Sequence, residues 1–343
     1  MIVLGLESSC DETAACLLEG PRKILSHQIS SQMALHHAYG GVVPEIASRR
    51  HIEVVDVLVR ECCDQAGLRL SNVDLLAVTV GPGLIGSLLI GVTFAKTLAY
   101  ALQKPIVGIH HLEAHLYAPF LENLDLDFPF VSLIVSGGHT LLVWVKKFGE
   151  YEILGSTHDD AAGEAYDKVA KLLGLGYPGG PVIDELAGKG NPKAYRLPRP
   201  LLSNCRSLDF SFSGLKTAVL YAVKGYGSHK MNPVAWEDSQ ICDLAASFQE
   251  AVVDCLVEKS LRALHKTGVK RLAIGGGVAA NSLLRRRLQD QADQDGFALS
   301  LPSKMMCTDN AVMVAGLGFA KWNAGRRGEP LEARATLKFQ SSE

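Results

Sequence analysis

The sequence predicts an α/β protein made of two related lobes, and three observations lead there. Apolar strand-like runs alternate with helix-like segments; the order strand, small polar turn, strand, strand occurs twice; and an Asp-rich stretch, LENLDLDFP, lies between the two copies. Taken from the N-terminus, VLGLE (3–7), LLAVTV (75–80), PIVGI (105–109), FVSLIVS (130–136), RLAIGG (271–276) and FALSLP (297–302) read as strands. The segments between them, at 44–66, 84–103, 161–174, 240–266, 279–293 and 309–323, read as helices, which places parallel strands at the core. The duplication is carried by VLGLESSCDETAACLLEGPRKILSHQIS and FVSLIVSGGHTLLVWVKKFGEYEILGSTH, with Thr13 and Thr140 in matching places. The expected lobes are therefore 1–125 and 126–325, followed by a tail, 326–343, that carries no motif.

Composition narrows the classes. With 343 residues, 48% hydrophobic and 20% charged, the chain can fill two cores. The long apolar run at 84–102 contains Lys96 and several hydroxyls, so a buried helix is expected rather than a bilayer span, and no membrane role follows. The chain opens MIVLGLESSCDE, without a basic segment and cleavage site, so a cytoplasmic protein is expected. Eight cysteines with no CxxC spacing indicate reduced thiols, not a zinc ribbon or disulfide framework. A net charge of −2 gives no long-range pull on a polyanion. A nucleic acid would need a local basic patch, for which Arg49-Arg50-His51, KAYRLPRP (193–200) and Arg285-Arg286-Arg287 are the candidates.

The stretch HHLEAH (110–115) invites a metal. On a helix, His111 and His115 share a face and Glu113 points away from it. Neither HExxH nor HxxEH is present, so the peptidase patterns do not fit. If two lobes face each other across a cleft, the small turns Ser8-Ser9-Cys10 and Ser136-Gly137-Gly138 would offer backbone N–H groups to a polyphosphate, with Asp11 beside the first as a catalytic or cation-assisted group. GGGVAAN (275–281) follows a strand and opens a helix, which favours a nucleotide, although it is neither GxGxxG nor a P-loop. Asp167 and Asp184 flank the turn YPGGP and could bind ribose or substrate hydroxyls. Asp309 stands at a helix start, where it either caps the helix or reaches a metal; by spacing alone, capping is the safer reading.

Together, MIVLGLESSCDETAACL, YGGVVPEIASRRH, GPGLIGSLLIGV, HHLEAH, IVSGGHT, DDAAGEAYDKVAKLLGLGYPGGP, LDFSFSGLKT, GGGVAAN and CTDNAVM resemble the bacterial TsaD branch of the tRNA threonylcarbamoyladenosine-modification proteins. These belong to the actin, Hsp70 and sugar-kinase (ASKHA) superfamily, and the resemblance runs from residue 1 to near 320. It implies two duplicated ASKHA lobes around a nucleotide cleft. It implies an acyltransferase that moves a threonylcarbamoyl group from threonylcarbamoyl-AMP to N6 of adenosine 37 in ANN-decoding tRNAs. His111, His115 and Asp309 correspond to ligands of Fe2+, with Zn2+ or another divalent metal as the alternative. Ile134, Val135, Ser136, Gly137 and Gly138, with Asp167, Gly180, Asp184 and Asn281, correspond to the site for ATP, ADP or threonylcarbamoyl-AMP. Ser9 and Cys10 fall in the phosphate turn, and Asp11 matches a residue implicated in activity. Archaeal and eukaryotic relatives carry a tyrosine ligand where this chain has Ile134, leaving that coordination position to substrate oxygens or water. The implied partners are tRNA, a TsaB-like subunit, a TsaE-like ATPase and a TsaC-type enzyme that makes the adenylate. An ATP-dependent small-molecule kinase of the same fold, a metalloendopeptidase and a nucleotide-gated interaction module are the competing readings.

Overall fold

The computed structural model describes residues 1–224, 237–326 and 330–339. In chain order the strands are β1 (Ile2–Glu7), β2 (Glu12–Glu19), β3 (Lys23–Ser31), β4 (Leu75–Gly81), β5 (Ile106–His110), β6 (Phe130–Val135), β7 (Thr140–Lys147), β8 (Glu150–Ser156), β9 (Arg271–Gly275) and β10 (Ala298–Ser300). The helices are α1 (Met33–His37), α2 (Pro44–Ala66), α3 (Ile85–Leu102), α4 (His111–Glu122), α5 (Ala162–Leu172), α6 (Gly179–Ala187), α7 (Ser213–Lys224), α8 (Asp238–Thr267), α9 (Ser282–Asp295), α10 (Lys304–Cys307) and α11 (Ala311–Asn323).

The chain divides into two units, Met1–Asp125 joined by the described residues after Leu301, and Leu126–Leu301. Each holds one five-stranded mixed sheet, in the order β3-β2-β1-β4-β5 and β10-β9-β6-β7-β8. The two orders are one topology. In each, the first strand pairs antiparallel with the second and the second with the third, while the first also pairs parallel with the fourth and the fourth with the fifth. The duplication read from sequence is therefore a duplication of sheet topology. Central β4 is buried along its whole length, as a parallel strand covered on both faces must be.

The C-terminal region departs from the expectation. The sequence reading placed residues 302–325 in the second lobe, whereas α11 packs on β1, β2, β4 and β5 of the first unit's sheet. The physical reason is the match of small residues across that contact. A Cβ at Gly5 of β1 would run into the Ala311 carbonyl and Ala315 of α11, and one at Gly318 would meet Ala77 of β4. Gly5→Val should therefore overpack this seam and cost about 1–3 kcal/mol, read as a lower urea midpoint at unchanged slope.

The tail is also used structurally. Leu331, Ala333 and Leu337 pack on the first unit's core, and the Arg334 N–H donates to the Val80 carbonyl at 2.8 Å. Residues 327–329 and 340–343 of that tail lie outside the described residues.

Helix α3 is long and apolar enough, by length and composition, to cross a membrane. Yet Ser87, Leu88, Gly91, Val92, Ala95 and Ala99 are buried and Lys96 is exposed, so only one face of this helix is in the core rather than the whole. All eight cysteines are free.

Candidate functional site

The end of β1 and the start of α4 build the first unit's site. Sheet order puts β1 beside β4 and β4 beside β5, so the C-terminal ends of these parallel strands deliver Glu7, Thr79 and His110 side by side. Helix α4 begins at once after β5, and one turn later His115 joins His111 on the same face. Their rings meet edge to face, 4.7 Å between centroids.

Asp309 comes from the chain's far end. The sequence favoured a cap, but α11 is capped by its neighbour: the Asn310 side chain accepts from the Met313 N–H at 2.9 Å. Asp309 is thereby left to the histidines, its Oδ1 3.0 Å from His115 Nε2 and 3.5 Å from His111 Nε2. One ligand atom from each residue lies within 4.8 Å of the other two. Donors held about 2.1 Å from one ion sit about 3–3.4 Å apart, so the three side chains fit a divalent metal, and imidazole with carboxylate is a donor set for Fe or Zn rather than for Mg.

Sequence reasoning missed Glu7, the residue that orients His111. It is buried, and it accepts from the Ser9 N–H at 2.6 Å and from Thr79 Oγ1 at 2.7 Å. His111 Nδ1 lies 3.2 Å from its Oε2 and 3.2 Å from Ser9 Oγ. This is a carboxylate–histidine arrangement that turns Nε2 toward Asp309. The signal was present: a glutamate closing a wholly apolar strand must find partners. Because Glu7 takes the Ser9 N–H, the first turn is tied to the histidine cluster, and that N–H, expected from sequence to face a phosphate, is engaged within the protein.

Charge is concentrated here. Burial opposes a charge on His111, but Asp309 and Glu7 outweigh it and lift its pKa to about 9. Burial would raise Glu7, yet the His111 charge and hydrogen bond hold its carboxyl below the usual range. Burial, then Asp11 and Asp309, push Glu12 up to about 10, so at neutral pH it is protonated and hydrogen-bonded to Asp11. Asp11 itself is buried, in the β1–β2 turn.

The sign of the pH effect follows. His111 is raised from its ordinary 6.5, so its charged form stabilises the metal-free fold fully below about 6.5 and ceases to do so as pH climbs through about 9. Metal uptake needs the neutral imidazole, so it runs the other way. Between pH 6 and 9 the metal-free protein should lose thermal stability while its apparent metal affinity rises by up to tenfold per pH unit, as for the loss of one proton. Glu7→Gln should flatten both trends and weaken metal binding about 10–100-fold, measured by metal titration and thermal melts across that range.

Glu113, the residue a peptidase would need, is spent elsewhere. It forms a buried ion pair with Lys321 of α11.

The second unit gathers the remaining predicted residues at the C-terminal ends of β6 and β9. Ile134 and Val135 are buried at the end of β6, and Ser136, Gly137 and Gly138 form the turn into β7. Helix α5 starts against that turn: the Gly163 N–H donates to the Ser136 carbonyl at 3.1 Å, and a Cβ on Gly163 would collide with it. Asp167 of α5 accepts from the Gly179 N–H at 2.7 Å, which fixes the start of α6 and hence Gly180 and Asp184. Asp184 Oδ1 accepts from Asn281 (3.1 Å), Gln249 (3.0 Å) and Ser282 (2.7 Å). Gln249 of α8, not singled out by sequence, also accepts from Asn281 at 2.8 Å. Asp159 accepts from the Phe212 and Ser213 N–H groups at the start of α7, and Asp160 pairs with Lys168 and Lys216.

Two sheets of one topology, each with small turns at the ends of its central strands, define a protein of the actin, Hsp70 and sugar-kinase class. A solved structure of T. kodakarensis HypF has the same fold, with a TM-score of 0.61 at 16% identity over 94% of this chain and 48% of that one. The chain belongs to the TsaD family: residues 23–316 match the family described as "TsaD: tRNA N6-adenosine threonylcarbamoyltransferase". A tRNA N6-adenosine threonylcarbamoyltransferase from Syntrophotalea carbinolica is 51% identical over 320 residues, covering 93% of this chain and 91% of that one. One from Thermodesulfovibrio yellowstonii is 52% identical over 338 residues, covering 98% and 99%. The reaction is therefore an acyl transfer that places a threonylcarbamoyl group on N6 of an adenosine in tRNA.

Proposed function

We propose that the donor is threonylcarbamoyl-AMP, that the acceptor is adenosine 37 of ANN-decoding tRNAs, and that a divalent metal, Fe2+ or failing that Zn2+, is held by His111, His115 and Asp309. The observation that carries this reading is the convergence of these three side chains beside the Glu7, Asp11 and Glu12 carboxyls. In the reaction the adenosine N6 attacks the carbamoyl carbon, the bond from that carbon to the phosphate oxygen breaks, and AMP leaves while N6 gives up a proton. The mixed anhydride is already activated, so alignment and charge stabilisation matter more than a strong nucleophile. When bound, the metal supplies Lewis acidity toward substrate oxygens. Asp11 accepts the N6 proton, with protonated Glu12 orienting its carboxylate; Ser9 and Cys10 line the phosphate turn. In the second unit, Ile134 to Gly138 approach the nucleotide through backbone, and Asp167, Gly180, Asp184 and Asn281 complete the nucleotide site, the two carboxylates toward ribose or substrate hydroxyls.

A TsaB-like subunit, a TsaE-like ATPase and a TsaC-type donor-making enzyme complete the proposed cytoplasmic system. Helix α2 buries most of its apolar face, from Ala47 to Cys63, yet leaves Ile52 and Val57 exposed, and α3 exposes Ile85, Leu89 and Tyr100. These side chains favour a partner helix. The test is nucleoside mass spectrometry of an unmodified ANN-decoding tRNA incubated with this protein, those partners and threonylcarbamoyl-AMP. Threonylcarbamoyladenosine at position 37 is the expected product; its absence from the intact system would sink the proposal.

A further inference from the structure

A net charge of −2 leaves open how the chain holds a polyanion, and several cations of the basic runs conspicuous in the sequence are already engaged within the fold. Arg50 pairs with Glu53, and His51 is buried against Thr13 and the Cys10 carbonyl. Arg199 pairs with Asp254, and Arg287 pairs with Glu250 and Asp254. A different cationic site is assembled by the fold of the second unit. A cavity of about 330 Å³ is lined by Cys205, Arg206, Leu208, Arg262, His265 and Lys266, with no carboxylate among its walls.

The cavity is a built feature. Arg262, itself ion-paired with Glu258 at 2.9 Å, reaches from α8 to the carbonyls of Leu202 (3.1 Å) and Asn204 (3.3 Å), and buried Lys259 donates to those of Leu201 (3.2 Å) and Ser207 (3.0 Å). Two cations of one helix thus pin the 201–207 loop. Arg206, His265 and Lys266 remain exposed, and among the described residues none of them forms an ion pair.

We infer that this cavity binds a phosphodiester of the tRNA backbone. The chemistry of the walls selects that ligand. Arginine and lysine heads held around one hollow suit phosphate oxygens. The walls carry no Phe, Tyr or Trp, and four of the six lining residues, Arg206, Arg262, His265 and Lys266, are basic, so the cavity is built for an anion before a base. The inference rests on tRNA being the acceptor and adds where its backbone is held.

The test is tRNA binding by the full chain carrying Arg206→Ala with Lys266→Ala; Arg262 is left in place because it pins the loop. Unmodified ANN-decoding tRNA is titrated at several KCl concentrations. Losing two phosphate contacts should weaken affinity about tenfold at low salt and reduce the slope of log affinity against log salt by about 1–2. KM for tRNA should rise with turnover at saturation unchanged. The surface pair Lys23→Ala with Arg60→Ala, whose partners are Glu19 and Asp56, should leave affinity and slope as they are. Native affinity and slope in a folded pocket variant would overturn the inference. So would inorganic phosphate binding that the pocket variant abolishes without any change in tRNA affinity, since that would mark a small-anion site. A wild-type chain that binds tRNA but never modifies it would count against the proposed reaction alone, because the binding comparison does not depend on turnover.

Discussion

His115→Ala should slow threonylcarbamoyladenosine formation roughly 10²–10³-fold and abolish stoichiometric binding of a divalent metal, read by metal analysis of the purified protein. Of the three converging residues, His115 gives the cleanest test. His111 is bonded to Glu7 and near Ser9, so its removal also takes the cationic partner from a buried carboxylate. The Nδ1 of His115 has no hydrogen-bond partner among the described residues, and its Nε2 faces Asp309. Its loss therefore removes a donor while disturbing little else. A His115→Ala chain that keeps both metal and rate would exclude the cluster as a metal centre.

Lys321→Ala should lower the free energy of unfolding by about 3–5 kcal/mol, measured by denaturant titration. Lys321 and Glu113 are 5% and 6% exposed at their side chains, so removing the lysine leaves a carboxylate in the interior. Replacing both, Glu113→Gln with Lys321→Met, should cost less than the single change, because no unpaired charge remains. The pair joins α4, which carries both histidines, to α11, which follows Asp309 directly. The single variant should accordingly also bind metal more weakly. If the double change proved worse than Lys321→Ala alone, the ion pair would be contributing net stability rather than compensating burial.

Much of this was legible before any coordinates. The apolar runs at 75–80 and 130–136 are strands because residues this uniformly β-branched and leucine-rich have no solvent face to offer, and the repeated strand-turn-strand-strand order became two sheets of one topology. The pairing of His111 with His115 followed from helical periodicity alone. Helix α7 was harder to see. Its start, SFSG, reads as a turn, and it is capped by Asp159, 53 residues upstream from Phe212, which no local window contains.

The sequence by itself determined the strand and helix order, the duplication, the family and the identity of the metal-competent side chains, since periodicity and motif are local properties of the chain. Tertiary structure alone decided which of those side chains meet. Asp309 reaches the histidines because small residues let α11 seat on the first unit's sheet and because Asn310 takes over the cap. Glu7 orients His111 because parallel strands end together. Both outcomes depend on contacts between residues about a hundred to two hundred positions apart, and their geometry is set by packing rather than by spacing.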